Sequence, residues 1–324
     1  MSLISIVVPT HNELANLAPL HRRIADVFAK LPGDDFELIF CDDSTDATPQ
    51  AIADLRDGDR RVKLIRLSRR YGQALALTAG LARTSGEAVV MIDADLQDPP
   101  ETIALLIERW RAGYEVVYVQ RASAGTQFYK VLSRTFYRLL RSIASVEIPV
   151  DASEFRLLDR KVVEYLRKLT EKTRYLRGLT VLPGFRQTSI QITRAKRLHG
   201  QTNYNLKRSL HVAIDGILSF STAPLRMATI LGVATMALAL LIAIGYGVWK
   251  LVDPDIAGPF WPGVFVTLLL LGGMQFLLLG ILGEYVGRIM TEVQNRPPYW
   301  VDYELGFGEV DAAAAGRSGE RDRA

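Results

Sequence analysis

Short apolar runs and longer mixed stretches take turns over the first 120 residues. The strand-like runs are Ser5–Pro9, Phe36–Cys41, Val62–Leu67, Ala88–Ile92 and Glu115–Val119. The helix-like stretches between them are Glu13–Ala29, Thr48–Asp57, Gln73–Ala82 and Glu101–Ala112. This order predicts right-handed βαβ units around a mostly parallel sheet. Unbroken apolar runs such as Ala88-Val-Val-Met-Ile92 suit strands covered on both faces. Leu3–Val8 is too short, and lacks the basic flank, for a secretory leader, and reads as a buried strand. In sheets of this kind ligands bind beyond the carboxyl ends of the strands. Three of those ends are polar: Pro9-Thr10-His11-Asn12-Glu13, Asp42-Asp43 and Asp93-Ala94-Asp95.

The pattern changes after residue 125. Phe128, Leu132, Phe136, Leu139 and Ile143 recur at helical spacing with Lys130, Arg134, Arg138 and Arg141 between them, which predicts a basic amphipathic helix over Thr126–Ala144, either at a membrane surface or as an ordinary helix on the domain surface. Residues 185–194 read as a strand and Leu206–Phe220 as a helix. Met227–Trp249 and Ile256–Gly283 then carry no charged residue, and each exceeds the ~20 residues that cross a bilayer core. The expected organisation is an alternating strand-and-helix half over 1–125, a basic juxtamembrane half over 126–222, and a transmembrane hairpin over 223–290. Its spans fall near 227–250 and 262–283, and a tail over 291–324 is disordered at its end. Lys207, Arg208 and Arg226 precede the hairpin and Arg288 and Arg296 follow it. The positive-inside rule therefore puts both termini, and with them the N-terminal domain, on the cytoplasmic side of an inner or plasma membrane.

Composition and charge sharpen this picture. The 324 residues are 49% hydrophobic and 23% charged. The single cysteine, Cys41, excludes a disulfide framework and a cysteine zinc site, and reads as a small buried residue. Net charge is −5 over residues 1–120, +13 over 121–212 and −4 over 213–324. A basic block beside a membrane span points to anionic headgroups or a phosphate ligand rather than nucleic acid. Phosphate-loop, dinucleotide, zinc-protease and serine-hydrolase motifs are absent from the sequence.

Asp93-Ala94-Asp95 is the strongest chemical signal. On an extended segment Asp93 and Asp95 face the same way, and Gln97 continues the alternation. Two hard carboxylates suit Mg2+ or Mn2+, with phosphate oxygens completing the shell. Loop and cap carboxylates are the plainer alternative. A carboxylate in Asp42-Asp43-Ser44-Thr45-Asp46 suits nucleobase or ribose hydrogen bonds, although the segment taken alone reads better as an Asx turn and helix cap. Arg121, Arg134, Arg156, Arg194 and Arg197 are candidate phosphate contacts.

Taken together these segments resemble inverting GT-A glycosyltransferases of family two, in the branch that acts on polyprenyl phosphates. The matching pieces are Ile6–Glu13, Phe40–Thr48, Leu67–Gly72, Met91–Pro100, Asp151–Leu157, Arg197–Tyr204 and Gly280–Arg288. The resemblance implies an α/β fold: a cytosolic GT-A domain, Rossmann-like with a mostly parallel sheet, followed by a two-helix transmembrane hairpin. It implies a nucleotide-sugar donor, with UDP-glucose as the default, a polyprenyl phosphate acceptor, and Mg2+ or Mn2+. Pro9, His11, Glu13, Asp42 and Asp93 would bind the nucleotide. Asp93, Asp95 and Gln97 would hold the metal. Ser133, Arg134 and Arg197 would face the lipid phosphate. Asp95, Glu154 and Arg121 would be catalytic. The chain departs from the family pattern in four places: the Asp42-Asp43 turn lacks a glycine, His11 stands for tyrosine, Ser153-Glu154 for Gly-Asp and Asn203 for lysine. A processive polysaccharide synthase would carry a Q-x-x-R-W motif and more spans; a degenerate scaffold would draw on the shortened turn and Glu154. Gly272-Gly273 and Gly280 permit the close helix approach of a homo-oligomer.

Overall fold

The computed structural model describes residues 2–121, 152–172, 174–192, 223–252 and 261–308. They fall into two compact units. The expected basic helices at Thr126–Ala144 and Leu206–Phe220 lie outside the described residues.

The first unit is built on one eight-stranded sheet. Its strands are β1 (Ser2–Thr10), β2 (Asp34–Asp42), β3 (Val62–Leu67), β4 (Ala88–Met91), β5 (Val116–Arg121), β6 (Ala152–Asp159), β7 (Gln187–Ile192) and β8 (Val301–Leu305). The spatial order is β7-β5-β6-β4-β1-β2-β3-β8. β4, β1, β2 and β3 run parallel, as do β5 and β7, whereas β6 and β8 are antiparallel to their neighbours. The helices are α1 (Leu14–Ala29), α2 (Thr48–Gly58), α3 (Gln73–Arg83), α4 (Thr102–Arg111), α5 (Arg160–Lys168) and the single turn α6 (Leu176–Leu179).

Strand periodicity divides the core. Ile6 and Val8 of β1, Leu38 and Phe40 of β2 and Val90 of β4 pack with Leu20 and Ile24 of α1, Ile52 of α2 and Leu106 of α4. Val7 and Cys41 point to the other face, against α3. There Gly80 is the contact point: a Cβ would run into the side chains of Val7 and Cys41. Gly80→Val is expected to cost about 3 kcal/mol through overpacking, read as a lower thermal midpoint. Cys41 is fully buried, and burial pushes its thiol pKa far up, so it is inert, as its strand position suggested.

Two strands depart from the expected pattern. β6 carries a buried arginine, Arg156, which breaks its apolar run. β8 falls in what reads as the tail; Val301, Tyr303 and Leu305 alternate with Asp302 and Glu304 and complete the sheet beside β3.

The second unit holds α7 (Ala223–Val252) and α8 (Trp261–Val293). Thirty and 33 residues rise about 45 and 50 Å at 1.5 Å each. Leu225–Ile242 has a mean hydropathy of 2.0 and Leu270–Val293 of 1.4, and neither segment is buried by protein. Side chains such as Met236 and Leu241 are about two-thirds exposed. So much unshielded apolar surface marks both helices as candidate membrane spans. α8 continues beyond the apolar stretch expected to end near 283, with Arg288 pairing Glu284 one turn back at 3.2 Å.

Candidate active site

The parallel register sets Thr10 beside Asp42, and Asp42 beside Arg66. Thr10 Oγ1 and Ser44 Oγ donate to Asp42 Oδ1 at 2.9 and 2.5 Å, and the Ser44 N–H donates to Oδ2 at 3.2 Å. Arg66 forms an ion pair with Oδ2 and a 2.6 Å hydrogen bond to the Ser44 carbonyl. Asp42 is fully buried, with its charge met by four neighbouring donors. Its carboxylate therefore braces the turn after β2.

Asp43 ties that turn to two others. His11 Nδ1 lies 2.9 Å from Oδ1, while Oδ2 accepts the N–H groups of Tyr71 and Gly72 at 3.0 and 3.2 Å. Gly72 sits at φ 87°, a conformation that suits glycine. Asn12, at φ 58°, donates its N–H to Ser44 Oγ at 2.8 Å and accepts the Thr45 N–H on its side-chain oxygen at 2.9 Å. The loops after β1, β2 and β3 thus form one hydrogen-bonded rim. Asp46 accepts the Thr48 N–H at 3.0 Å in a turn that leads into α2, and the Thr48 side chain holds its carboxyl below the usual range. Pro9 is half-buried in β1 opposite Cys41, and Glu13 accepts from Asn16 at 2.6 Å.

The loop after β4 completes the rim. Asp93 Oδ1 accepts from Gln73 Nε2, the first residue of α3, at 2.5 Å. Asp95 Oδ1 accepts the Gln97 N–H at 3.1 Å, an Asx turn. The extended alternation expected for Asp93, Asp95 and Gln97 does not occur. β4 ends at Met91, Ala94 and Asp95 lie in a turn, and Leu96 is held at φ 57°. Such a conformation costs a leucine about 1–3 kcal/mol. Gln97 is 3% exposed, and its Nε2 has no hydrogen-bond partner.

Glu154 lies on β6, the strand that continues the sheet beside β4. Its Oε1 accepts from Arg177 Nε at 2.6 Å, and its Oε2 lies 3.6 Å from Arg156 Nη2. Arg156 is 2% exposed and bonds Thr180 Oγ1 at 3.0 Å and the Ser153 carbonyl at 2.8 Å. Burial lowers its pKa, and Glu154 opposes that shift. Burial raises the pKa of the neighbouring Tyr175. Ser153 Oγ reaches Asp98 Oδ2 at 3.4 Å, which joins this cluster to the loop after β4.

His11, Asp42, Asp43 and the Tyr71-Gly72 turn are therefore interlocked, with Asp93 and Asp95 on the adjoining loop. Arg121 ends β5, and only its backbone is described. Ser133, Arg134, Arg194 and Arg197 lie outside the described residues. Asp43, Arg66, Gln73 and Arg177 were not singled out from the sequence. Asp43 was visible as the second carboxylate of a pair; the others declare themselves only through the register and the fold.

Among the described residues no three His, Cys, Asp or Glu side chains converge as a closed metal cage. The donor set at Asp93 and Asp95 is two hard carboxylates at an open rim. That set fits Mg2+ or Mn2+ only where substrate phosphate and water supply the remaining oxygens, which is the usual habit of Mg2+.

Carboxylates on the loops beyond the carboxyl ends of parallel strands stand where α/β sheets bind their ligands. The chain belongs to glycosyl transferase family 2, whose model matches residues 5–167. It is 40% identical over 307 residues to an uncharacterized glycosyltransferase of Bacillus subtilis (strain 168), covering 94% of each chain. It is 36% identical over 302 residues to the bactoprenol glucosyl transferase of Shigella phage SfII, covering 91% of this chain and 96% of that one. It is 35% identical over 302 residues to a prophage bactoprenol glucosyl transferase homolog of Escherichia coli (strain K12), covering 91% and 97%.

Proposed function

We propose that this enzyme transfers a hexose from a nucleotide-sugar, with UDP-glucose as the first donor to test, to the phosphate of a polyprenyl phosphate. The carrying observation is the insertion of two apolar helices between β7 and β8 of a family 2 sheet. Similarity to bactoprenol glucosyl transferases over more than nine-tenths of the chain supports the same acceptor class. Two crossings return the chain to the side it left, so the catalytic unit and both hairpin ends share one side of the bilayer. The flanking Arg226, Arg288 and Arg296 make that side cytoplasmic.

The acceptor is a phosphate monoester, largely dianionic near pH 7 because its second pKa is about 6. One of its oxygens attacks the anomeric carbon opposite the leaving diphosphate. The new bond is C–O–P to the lipid, the bond broken is that to the nucleotide, and configuration inverts. Such a nucleophile needs little general-base help. Glu154, engaged with Arg156 and Arg177, accordingly serves to hold those guanidiniums. Asp93 and Asp95 would hold the divalent ion, which supplies positive charge to the departing diphosphate. Arg121, Ser133, Arg134 and Arg197 are proposed to neutralise the acceptor phosphate, with His11 and Glu13 beside the nucleotide.

The test incubates membranes holding the full chain with radiolabelled nucleotide-sugars and polyprenyl phosphate. Organic-extractable, mild-acid-labile label from one donor is expected. Label in polymer alone, or no transfer from any donor, overturns the proposal.

A further inference from the structure

Trp300 is 64% exposed, yet it does not belong to a loose tail. Its carbonyl accepts the Ser68 N–H at 3.1 Å, and the next residue, Val301, pairs with Leu67. On its other side Pro297, Pro298 and Tyr299 line a cavity of about 530 Å3 with Thr78, Leu81 and Leu176. Proline restricts this approach further by fixing φ. The fold therefore pins a large aromatic side chain in the open. The Ser68 contact sets it beside the loop after β3, which carries two exposed arginines, Arg69 and Arg70. Arg69 lies over the Tyr71 ring, 4.4 Å from its centroid. The acidic groups nearby are Asp302, which is exposed, Glu304, which is paired with Arg83 at 2.7 Å, and Asp43, which is buried and holds the Tyr71 and Gly72 N–H groups. The patch thus joins an exposed indole to two arginines against one open carboxylate.

We propose that this patch is a membrane-contact surface of the catalytic unit, with Trp300 at headgroup level and Arg69 and Arg70 against anionic lipid. Trp300 follows the end of α8 at Val293 by seven residues, a reach of at most about 25 Å of extended chain. Indole rings favour the boundary between headgroups and hydrocarbon, where one edge is wet and the body is apolar. Arginines near an anionic surface are held there by a bias of roughly fivefold per residue. The contact keeps the strand end at β3, and with it the rim held by Asp43 and Gly72, at a constant height above the lipid phosphates. It rests on the hairpin being embedded in a bilayer.

The full chain is reconstituted in nanodiscs of phosphatidylcholine with or without phosphatidylglycerol, and tryptophan fluorescence is quenched by lipids labelled at the headgroup or deep in the chain. The difference between wild type and Trp300→Phe isolates Trp300. The tryptophans remaining in the variant report separately whether the hairpin is embedded, with no need for activity. The expected result is Trp300 quenched by the headgroup label and shielded from aqueous iodide. In phosphatidylglycerol discs, Arg69→Glu/Arg70→Glu reduces that quenching by about twofold or more, and in neutral discs it has little effect. Trp300 open to iodide and untouched by lipid labels overturns the proposal. So does shielding from both, which indicates a protein partner, and so does an equal response to the double variant in both lipids. Unchanged melting of each variant guards against misfolding.

Discussion

Asp95→Ala is expected to lose at least about 1,000-fold in transfer rate while melting like the wild type. Both substrates are anionic, and the leaving diphosphate gathers further charge as the sugar departs. Removing one preorganised charge-stabilising group at such a centre costs 100- to 1,000-fold, and losing a divalent ion costs several kcal/mol. Asp95 is half-buried and its Oδ1 accepts the Gln97 N–H in an Asx turn after β4, so its loss removes a loop contact and not a core apolar side chain. The check is initial-rate transfer to polyprenyl phosphate with and without chelator. Wild type should lose activity to chelator and regain it with Mg2+ or Mn2+; the variant should stay inactive in both. Chelator-insensitive transfer by Asp95→Ala above a tenth of the wild-type rate would sink the metal assignment. The same experiment on Glu154→Gln should give a smaller loss. That change removes a charge from the Arg156–Arg177 pairing rather than from the donor side, so it should raise the acceptor KM.

Much of the architecture was legible because its physical signals are local. The run at β4 is apolar throughout and that at β1 nearly so, since both faces of those strands are covered, while Glu37 in β2 and Lys63 and Arg66 in β3 break runs that are otherwise apolar. The two long apolar helices were legible from the absence of charge alone. β8 carried a readable alternation at Val301, Tyr303 and Leu305, hidden by its position after an apolar helix rather than by its pattern. β6 was obscured by chemistry: Glu154 and Arg156 share one face of that strand and neutralise each other there, so its buried side does not look apolar. The alternation read into Asp93, Asp95 and Gln97 assumed a strand that stops two residues early. Leu96, in the left-handed region, turns the chain instead, and nothing in a leucine announces that. The metal-side carboxylates were visible as residues; how the rim is braced was not. Bracing depends on partners far apart in sequence, such as Gln73 with Asp93 and Asp43 with Tyr71 and Gly72.

Arg66→Ala should be the most damaging single change to the catalytic unit's stability. Asp42 is fully buried, and Arg66 is the cation that meets it. Truncation leaves a carboxylate in the sheet with only hydroxyl and amide donors from Thr10 and Ser44. Breaking a buried pair this way costs about 3–5 kcal/mol, and at about 2–4 °C per kcal/mol the midpoint should fall by roughly 10 °C. Arg66→Met with Asp42→Asn should recover much of that loss, because no isolated charge remains and the amide keeps its hydrogen bonds. Asp42→Asn alone separates the two roles open to this residue. A brace, which the saturated geometry favours, lowers the melting midpoint and shifts kcat and KM together through a loosened rim. A direct nucleotide contact raises the donor KM with melting unchanged. Full stability of Arg66→Ala, measured by thermal unfolding of the full chain in detergent, would show that Asp42 is met some other way and would remove the brace from the account of the site.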